Sequence, residues 1–227
     1  MSMPTVSLRV GLLLALVLAW APGFAQSIAE ISKQVQDNLS KSPWEASISG
    51  KIQLPDGSSQ EAEFRLQVLP SPTPANALVR IDFKKPSSLE GNFVLISDKE
   101  VWNYLFLTNQ VVIQPRAKAK VEGLGVNLTG LSDFSQLTET LNLKLLGEVQ
   151  TPDGPAWRIQ GLPKGANAGF ASMEIWVLKS DPRPVAIVLK DANGKTLADL
   201  SIQGFKRSVL TAAALKKYPA DAEVVKR

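Results

Sequence analysis

The feature that most constrains this chain is a period-two alternation of apolar and polar residues that recurs along most of its length. The first example spans residues 46–54, where Ile48 and Ile52 share one face and Lys51 lies on the other. Successive side chains of a strand point to opposite sides, so this segment is predicted to be a strand with one buried and one solvated face. The turn residues at 55–57 lead to a second alternating segment, which predicts an antiparallel hairpin.

Eleven segments are predicted to be strands, nearly all with one apolar face, and helices are few. The predicted strands cover residues 46–54, 61–68, 78–83, 92–97, 101–107, 110–115, 142–150, 156–162, 170–179, 184–190 and 195–204. Helices are predicted at 28–39, behind a capping box of Ser27 and Glu30, at 131–141 and near 211–217. Alternation alone does not separate a sandwich from a barrel. The helices need a surface for their apolar stripes, which favours a mainly β fold: an unclosed antiparallel β-barrel of about eleven strands with a helical lid.

An apolar segment precedes this domain. Arg9 is followed by a run of 11 mostly apolar residues, and Gly23 and Ala25 are small residues at the −3 and −1 positions of a cleavage site. The run is shorter than the roughly 20 residues that span a bilayer. We therefore expect residues 1–25 to be a signal peptide cleaved after Ala25, and residues 26–227 to form a single exported domain.

The chemistry open to this chain is limited, because it has no cysteine and no histidine. Disulfides, Ser/His/Asp and Cys/His catalytic units, and zinc sites with nitrogen and sulfur ligands are excluded. Two of the carboxylates Glu61, Glu63 and Asp82 could act as an acid/base pair, but alternation places all three on solvated faces. We expect no enzymatic activity, no metal and no cofactor. The formal net charge of +4 is too small to indicate nucleic-acid binding.

Aromatic residues on the predicted sheet leave two interpretations open. A half-open sheet lined by such rings would expose an apolar binding surface, whereas a closed one would bury them as an ordinary core. The pattern alone favours neither. The rings in or beside predicted strands include Trp44, Phe64, Phe83, Trp102, Tyr104, Trp157 and Trp176.

Four groups of residues, in this order and spacing, carry a family resemblance. Residues 78–86 form an alternating apolar strand closed by a proline, and residues 97–104 contain a Ser-Asp turn followed by W-x-Y. Residues 145–164 contain L-L-G-E, D-G and G-L-P-K, and residues 191–194 are a D-x-x-G hairpin. Together they resemble the LolA-type periplasmic lipoprotein carriers, and the resemblance covers nearly all of residues 26–227.

The resemblance implies a hydrophobic cavity that takes the acyl chains of lipoproteins. Val79, Ile81 and Phe83 match the family's inward-facing ligand-contact positions, and alternation independently places them on one apolar face. The arginine that the family's carriers have just ahead of this strand has no counterpart at residues 74–76. Further residues expected to line the cavity are Phe64, Leu66, Trp102, Tyr104 and Met173.

A lid is expected from the helix at 131–141. Its apolar stripe of Phe134, Leu137 and Leu141 would leave the cavity when cargo enters, with the glycines between residues 123 and 130 as hinges. The alternative is a static helix that plugs one end of the barrel.

Two functions follow from the resemblance. The first is a monomeric periplasmic carrier that shields the acyl chains of lipoproteins, or another lipid, during transfer toward the outer membrane. Its partners would be an inner-membrane release complex and an outer-membrane receptor. The alternative is a regulatory domain that senses lipid or lipoprotein and partners a membrane signalling protein, as some relatives with this fold do.

Overall fold

The computed structural model describes residues 27–54, 56–116, 134–165 and 169–227, without the side chains of residue 75 and residues 134–136. The helices in this part of the chain are α1 (Ile28–Ser40), α2 (Phe134–Thr140) and α3 (Ala212–Leu215), with 3₁₀ turns at Pro74–Asn76 and Phe106–Thr108. None of the described helices is long and apolar enough to cross a bilayer. The strands are β1 (Trp44–Gln53), β2 (Ser59–Leu69), β3 (Leu78–Lys85), β4 (Phe93–Ile96), β5 (Glu100–Leu105), β6 (Gln110–Pro115), β7 (Leu141–Thr151), β8 (Gly154–Pro163), β9 (Ser172–Leu178), β10 (Pro184–Lys190), β11 (Thr196–Arg207) and β12 (Glu223–Lys226).

The described strands form one sheet that is not closed into a full barrel. Their order is β12-β6-β5-β4-β3-β2-β1-β11-β10-β9-β8-β7. Two meanders, β1 to β6 and β7 to β11, are joined where β1 pairs with β11. All pairs are antiparallel except β6 and β12, which are parallel. The predicted mainly β, unclosed architecture is therefore confirmed.

The two meanders meet closely at Gly50, which pairs with Leu200 of β11. A Cβ atom at this position would lie 1.9 Å from the carbonyl oxygen of Asp199. Since no heavy atom fits at that distance, a residue larger than glycine would push the two backbones apart.

Two apolar clusters lie on opposite faces of the sheet. The larger one combines residues of α1 and α2 with residues of strands from β5 on one side to β7 and β8 on the other. Strands so far apart in the sheet order contribute to one contiguous cluster, so the sheet curves around it. We call the face that carries the larger cluster the inner face, and the opposite one the outer face.

The predicted helix at 131–141 corresponds to α2, which ends at Thr140. Leu141 is the first residue of β7 and pairs with Pro163 of β8. It therefore does not belong to a helical stripe, because pairing with β8 provides hydrogen bonds for the backbone from this residue onward. The predicted signal peptide (1–25) and hinge glycines (123–130) lie outside the described residues.

The sequence does not predict β12. Its four residues, Glu223–Lys226, are charged at both ends and too short to show a pattern. They form a strand because they lie along the edge of β6, where Val224 pairs with Val111. The described sheet therefore has 12 strands, where the sequence predicts eleven.

Candidate functional site

The centre of the inner face is a continuous apolar surface on β2 and β3. Phe64 pairs with Phe83 across the ladder, and Leu66 pairs with Ile81. The rings of Phe64 and Phe83 are 6.4 Å apart, and Val79 continues the row. All five side chains are buried, with Phe64 and Ile81 each only 1% exposed. The structure therefore brings together five of the predicted cavity residues.

The other three predicted cavity residues divide between the two faces. Met173 on β9 belongs to the inner cluster. Trp102 and Tyr104 belong to the outer cluster, where Tyr104 stacks on Phe93 with ring centroids 5.2 Å apart. Residues two positions apart share one face of a strand, and in β5 the inward-facing residue is Val101. The prediction that Trp102 and Tyr104 line the inner surface is therefore wrong.

Helix α1 covers part of the inner face. It begins with the predicted capping box: the Ser27 hydroxyl accepts a hydrogen bond from Glu30 N at 3.2 Å, and Ser27 N donates to the Glu30 carboxylate at 2.8 Å. This confirms the predicted start of the helix. Ile31, Val35 and Leu39, at spacings of four, are buried in the inner cluster. The helix therefore buries one apolar stripe against the sheet.

Polar contacts hold the C-terminal end of α1 in place. Arg207 Nη2 donates to Asn38 O at 2.7 Å and to Asn38 Oδ1 at 2.8 Å. Asn38 Nδ2 in turn donates to Asp181 Oδ1 at 2.7 Å. Asn38 is buried, and hydrogen bonds to charged groups are stronger than those between neutral groups. Displacing α1 would therefore disrupt a polar network as well as apolar contacts.

Helix α2 also contributes to the inner cluster. Leu137 is 8% exposed and belongs to the inner cluster, and α2 contacts α1 and β7. Lys164 Nζ donates to the backbone oxygen of Thr138 at 2.9 Å. A helix of seven residues is marginal by itself, so contacts such as those of Leu137 hold it in place. Phe134 begins α2, but its side chain is not described, and its role in a lid stays a prediction.

The outer face of β3 to β6 is covered by the C-terminal segment, residues 208–227. Leu215 of α3 is 1% exposed and packs in the outer cluster with Phe93 and Leu95. The ring of Tyr218 meets the ring of Trp102 edge-on at 6.0 Å. This segment therefore gives β3 to β6 a second apolar layer.

Arg80 holds the C-terminal segment against β3. Its guanidinium lies 3.7 Å over the ring of Phe93. Its Nη1 donates to the backbone oxygens of Leu215 at 2.8 Å and Lys217 at 2.7 Å, and its Nε donates to Asp82 at 2.9 Å. The oxygens at the end of α3 thus receive a cationic donor, which a helix C-terminus favours.

Glu45 is a buried carboxylate on the outer face. It accepts hydrogen bonds from Arg65 and from Gln67, and it forms an ion pair with Lys206 at 2.9 Å. Burial raises the pKa of the Glu45 carboxyl, but the hydrogen bonds from Lys206 and Arg65 outweigh burial and hold that pKa below its ordinary value. The carboxylate stays ionised at neutral pH and stabilises the fold.

Glu174 is in a similar environment on β9. Arg158 Nε donates to it at 2.8 Å and Lys190 Nζ at 3.1 Å. Burial raises the pKa of Glu174, and these two hydrogen bonds more than offset the effect, so its pKa is lowered. A carboxylate held ionised does not donate protons near neutrality. Among the described residues, no group of three or more acidic side chains lies close enough to hold a metal ion.

A curved, unclosed sheet with helices on its apolar inner face defines a class of fold that other solved structures share. The chain is similar to MucB in the MucA/MucB complex of Pseudomonas aeruginosa, with 14% identity and a TM-score of 0.55 over 87% of this chain and 62% of that chain. At this identity the likeness shows the fold alone. A LolA superfamily protein from Nitrosomonas europaea matches at 12% identity and a TM-score of 0.47, over 85% of this chain and 99% of that chain.

A nearer relative shows the family. An uncharacterized conserved protein from Thermus thermophilus is 42% identical to this chain, with a TM-score of 0.66 over 89% of this chain and 100% of that chain. The chain belongs to the same family as this Thermus protein. No family model and no curated protein matches it.

Proposed function

We propose that this protein binds the acyl chains of lipoproteins, or of another lipid, between the inner face and its helices, and carries them toward the outer membrane. The observation that supports this most directly is the apolar row on β2 and β3, which shares one apolar cluster with buried residues of α1 and α2. A helix held by a few side chains can be displaced without unfolding the sheet. The resemblance to the LolA-type carriers supports the same function.

The energetics suit reversible loading. Burying one methylene yields about 0.8 kcal/mol, so ten methylenes of an acyl chain yield roughly 8 kcal/mol. Displacing a buried aliphatic side chain costs about 1.5 to 3 kcal/mol. Among the described side chains, the helices bury four such groups in the inner cluster: Ile31, Val35, Leu39 and Leu137. Full displacement of these side chains therefore costs roughly 6 to 12 kcal/mol. The two apolar terms are of similar size, and displacing α1 also breaks the hydrogen bonds between Asn38 and Arg207. Cargo and helices therefore compete, and a receptor that offers a better apolar site can take the cargo.

A matched pair of substitutions tests the proposal. Ile81 on β3 and Leu95 on β4 are both 1% exposed but lie on opposite faces. We expect Ile81→Asp to abolish binding of a fluorescent acyl probe to delipidated protein, and Leu95→Asp to retain it. Circular dichroism must show that both variants are folded, and Ile81→Ala with Leu95→Ala serves if they are not. Equal probe binding by the two variants, or no micromolar binding by the unaltered protein, would contradict the proposal.

The cargo and its compartment can be identified directly. We propose that the protein is exported, that residues 1–25 are removed after Ala25, and that the mature monomer works in the periplasm between an inner-membrane release complex and an outer-membrane receptor. N-terminal sequencing of protein purified from the periplasm should begin at Gln26. Native mass spectrometry of the same sample should show a bound lipid or lipoprotein.

A regulatory domain is the second candidate. It is supported by the likeness of fold to MucB, which was solved in complex with MucA. In this case the inner surface would sense lipid and a membrane signalling protein would receive the signal. Affinity purification that recovers one membrane signalling protein in stoichiometric amount, with no lipoprotein, would favour the regulatory function over the carrier.

A further inference from the structure

The outer face carries a polar cavity that the carrier function does not use. It has a volume of about 380 Å³ and lies between β2, β3 and the C-terminal segment. Its lining includes four cationic side chains, Arg65, Arg80, Lys84 and Lys217, and one carboxylate, Asp82. The described lining is therefore positively charged.

Part of this charge is neutralised within the protein. Asp82 pairs with Arg80 Nε at 2.9 Å, and Arg65 contacts Glu45. Lys84 and Lys217 are exposed, and the ammonium group of neither forms a hydrogen bond or ion pair with a residue that the structure describes. Two cations at the cavity thus remain uncompensated.

The cavity also presents fixed hydrogen-bond donors. Arg80 is held by the ring of Phe93 and by two backbone oxygens of the C-terminal segment. This leaves its Nη2 without a partner among the described residues. The Asn92 side chain accepts a hydrogen bond from Phe106 N at 2.7 Å through Oδ1, so its Nδ2 is a further donor with no described partner. Two fixed donors and two ammonium groups favour an anion with several acceptor oxygens.

We propose that this cavity binds a phosphate group. A phosphate presents more charge and more oxygens than a carboxylate, so it offers an acceptor to each of the Arg80 Nη2, the Asn92 Nδ2 and the two ammonium groups. The phosphate can belong to a lipid headgroup or to a soluble phosphorylated compound, since both offer the same group to the donors. Arg80 and Lys84 come from β3, and Lys217 comes from the C-terminal segment. A bound phosphate would therefore bridge the two.

The test compares two double variants with equal loss of charge. Lys84→Ala with Lys217→Ala removes the two unpaired cations of the cavity. The control is Lys144→Ala with Lys195→Ala, two exposed lysines on β7 and in the β10–β11 turn. Calorimetry at low ionic strength measures binding of inorganic phosphate and glycerol 3-phosphate. We expect the cavity variant to bind at least about tenfold more weakly than the unaltered protein, because it loses two nearby charges. The control should stay within about twofold, because its lysines do not line the cavity.

Vesicles distinguish the two sources of phosphate. Sedimentation with phosphatidylglycerol vesicles, compared with phosphatidylcholine vesicles, reports binding to an anionic headgroup. Vesicle binding that the cavity variant loses assigns the site to a lipid headgroup. Binding of glycerol 3-phosphate without vesicle binding assigns it to a soluble compound. Both results support a phosphate site.

Hydrogen exchange gives a second readout, because a phosphate that bridges β3 and the C-terminal segment should slow amide exchange in residues 210–218. Three results would overturn the proposal: no binding of any of these probes, equal weakening by the two double variants, or binding without slower exchange in residues 210–218. Inorganic phosphate and glycerol 3-phosphate carry no acyl chain, so failure to bind them leaves the acyl-chain proposal standing.

Discussion

Replacing Leu137 by alanine separates a displaceable lid from a static plug. Among the described side chains of α2, Leu137 is the one that is buried in the inner cluster. If cargo enters only after α2 leaves the sheet, the free energy of the α2 contact is subtracted from the free energy of binding. Weakening that contact should then raise the affinity for an acyl chain.

The size of the effect follows from the burial of Leu137. A fully buried leucine contributes about 1.5 to 3 kcal/mol, and Leu137 is 8% exposed on a short helix, so we take about 2 kcal/mol. Each 1.4 kcal/mol changes an equilibrium constant tenfold, so the dissociation constant for an acyl probe should fall roughly 30-fold.

The assay is a fluorescence titration of delipidated protein with an acyl probe, together with thermal unfolding. Leu215→Ala is the matched control, because Leu215 is also a buried leucine on a short helix but covers the outer face. It should lower the melting temperature and leave the dissociation constant within about twofold of the unaltered protein, since its contacts are not displaced by cargo. An unchanged dissociation constant in Leu137→Ala, with a clear loss of thermal stability, would refute the lid and favour the plug.

Three further predictions concern the sheet and its outer face. Glu45→Gln should lower the free energy of unfolding at pH 7 by about 1 to 2 kcal/mol, a figure reduced for the exposure of the partner cations. The pKa of Glu45 in the folded protein lies below its ordinary value. The ionised Glu45 carboxylate therefore stabilises the folded state fully above the unfolded-state pKa of about 4.3, and this stabilisation is lost as the pH falls through the folded-state pKa. Urea titrations should therefore show the difference from the unaltered protein shrinking below about pH 4. Gly50→Ala should lower the free energy of unfolding by about 3 kcal/mol in the same assay, because the alanine Cβ would lie 1.9 Å from Asp199 O. A decrease of less than about 0.5 kcal/mol would show that β1 and β11 can move apart easily. Arg80→Met should speed amide exchange around Leu215 by roughly tenfold or more, since it removes two charged hydrogen bonds to the C-terminal segment; unchanged exchange would mean that the apolar contacts alone hold the segment.

The inner-facing residues of β2 and β3 could be predicted because each of these strands has one polar face. On β3, Arg80 and Asp82 alternate with Val79, Ile81 and Phe83, and only one of the two registers buries the apolar set. The capping box of α1 could be predicted for a different reason, since both of its hydrogen bonds join residues three positions apart.

The faces of β4 and β5 could not be predicted in this way. All four residues of β4 are apolar and buried, because the inner cluster lies on one side and the C-terminal segment on the other. A strand buried on both faces loses its alternation. The neighbouring residues then do not indicate which side chains of the following strand, β5, face inward. This is why the sequence predicts Trp102 and Tyr104 on the wrong face.

The sequence by itself therefore determined the β class of the fold, the start of α1 and the apolar row on β2 and β3, because these depend on periodicity or on hydrogen bonds between near neighbours. The tertiary structure decided the rest. The hydrogen bond from Arg80 to Leu215 joins residues 135 positions apart, and β12 exists because β6 offers an unpaired edge. No local pattern encodes such partners, since each half of the contact is an ordinary exposed polar group or strand edge until folding brings the two together.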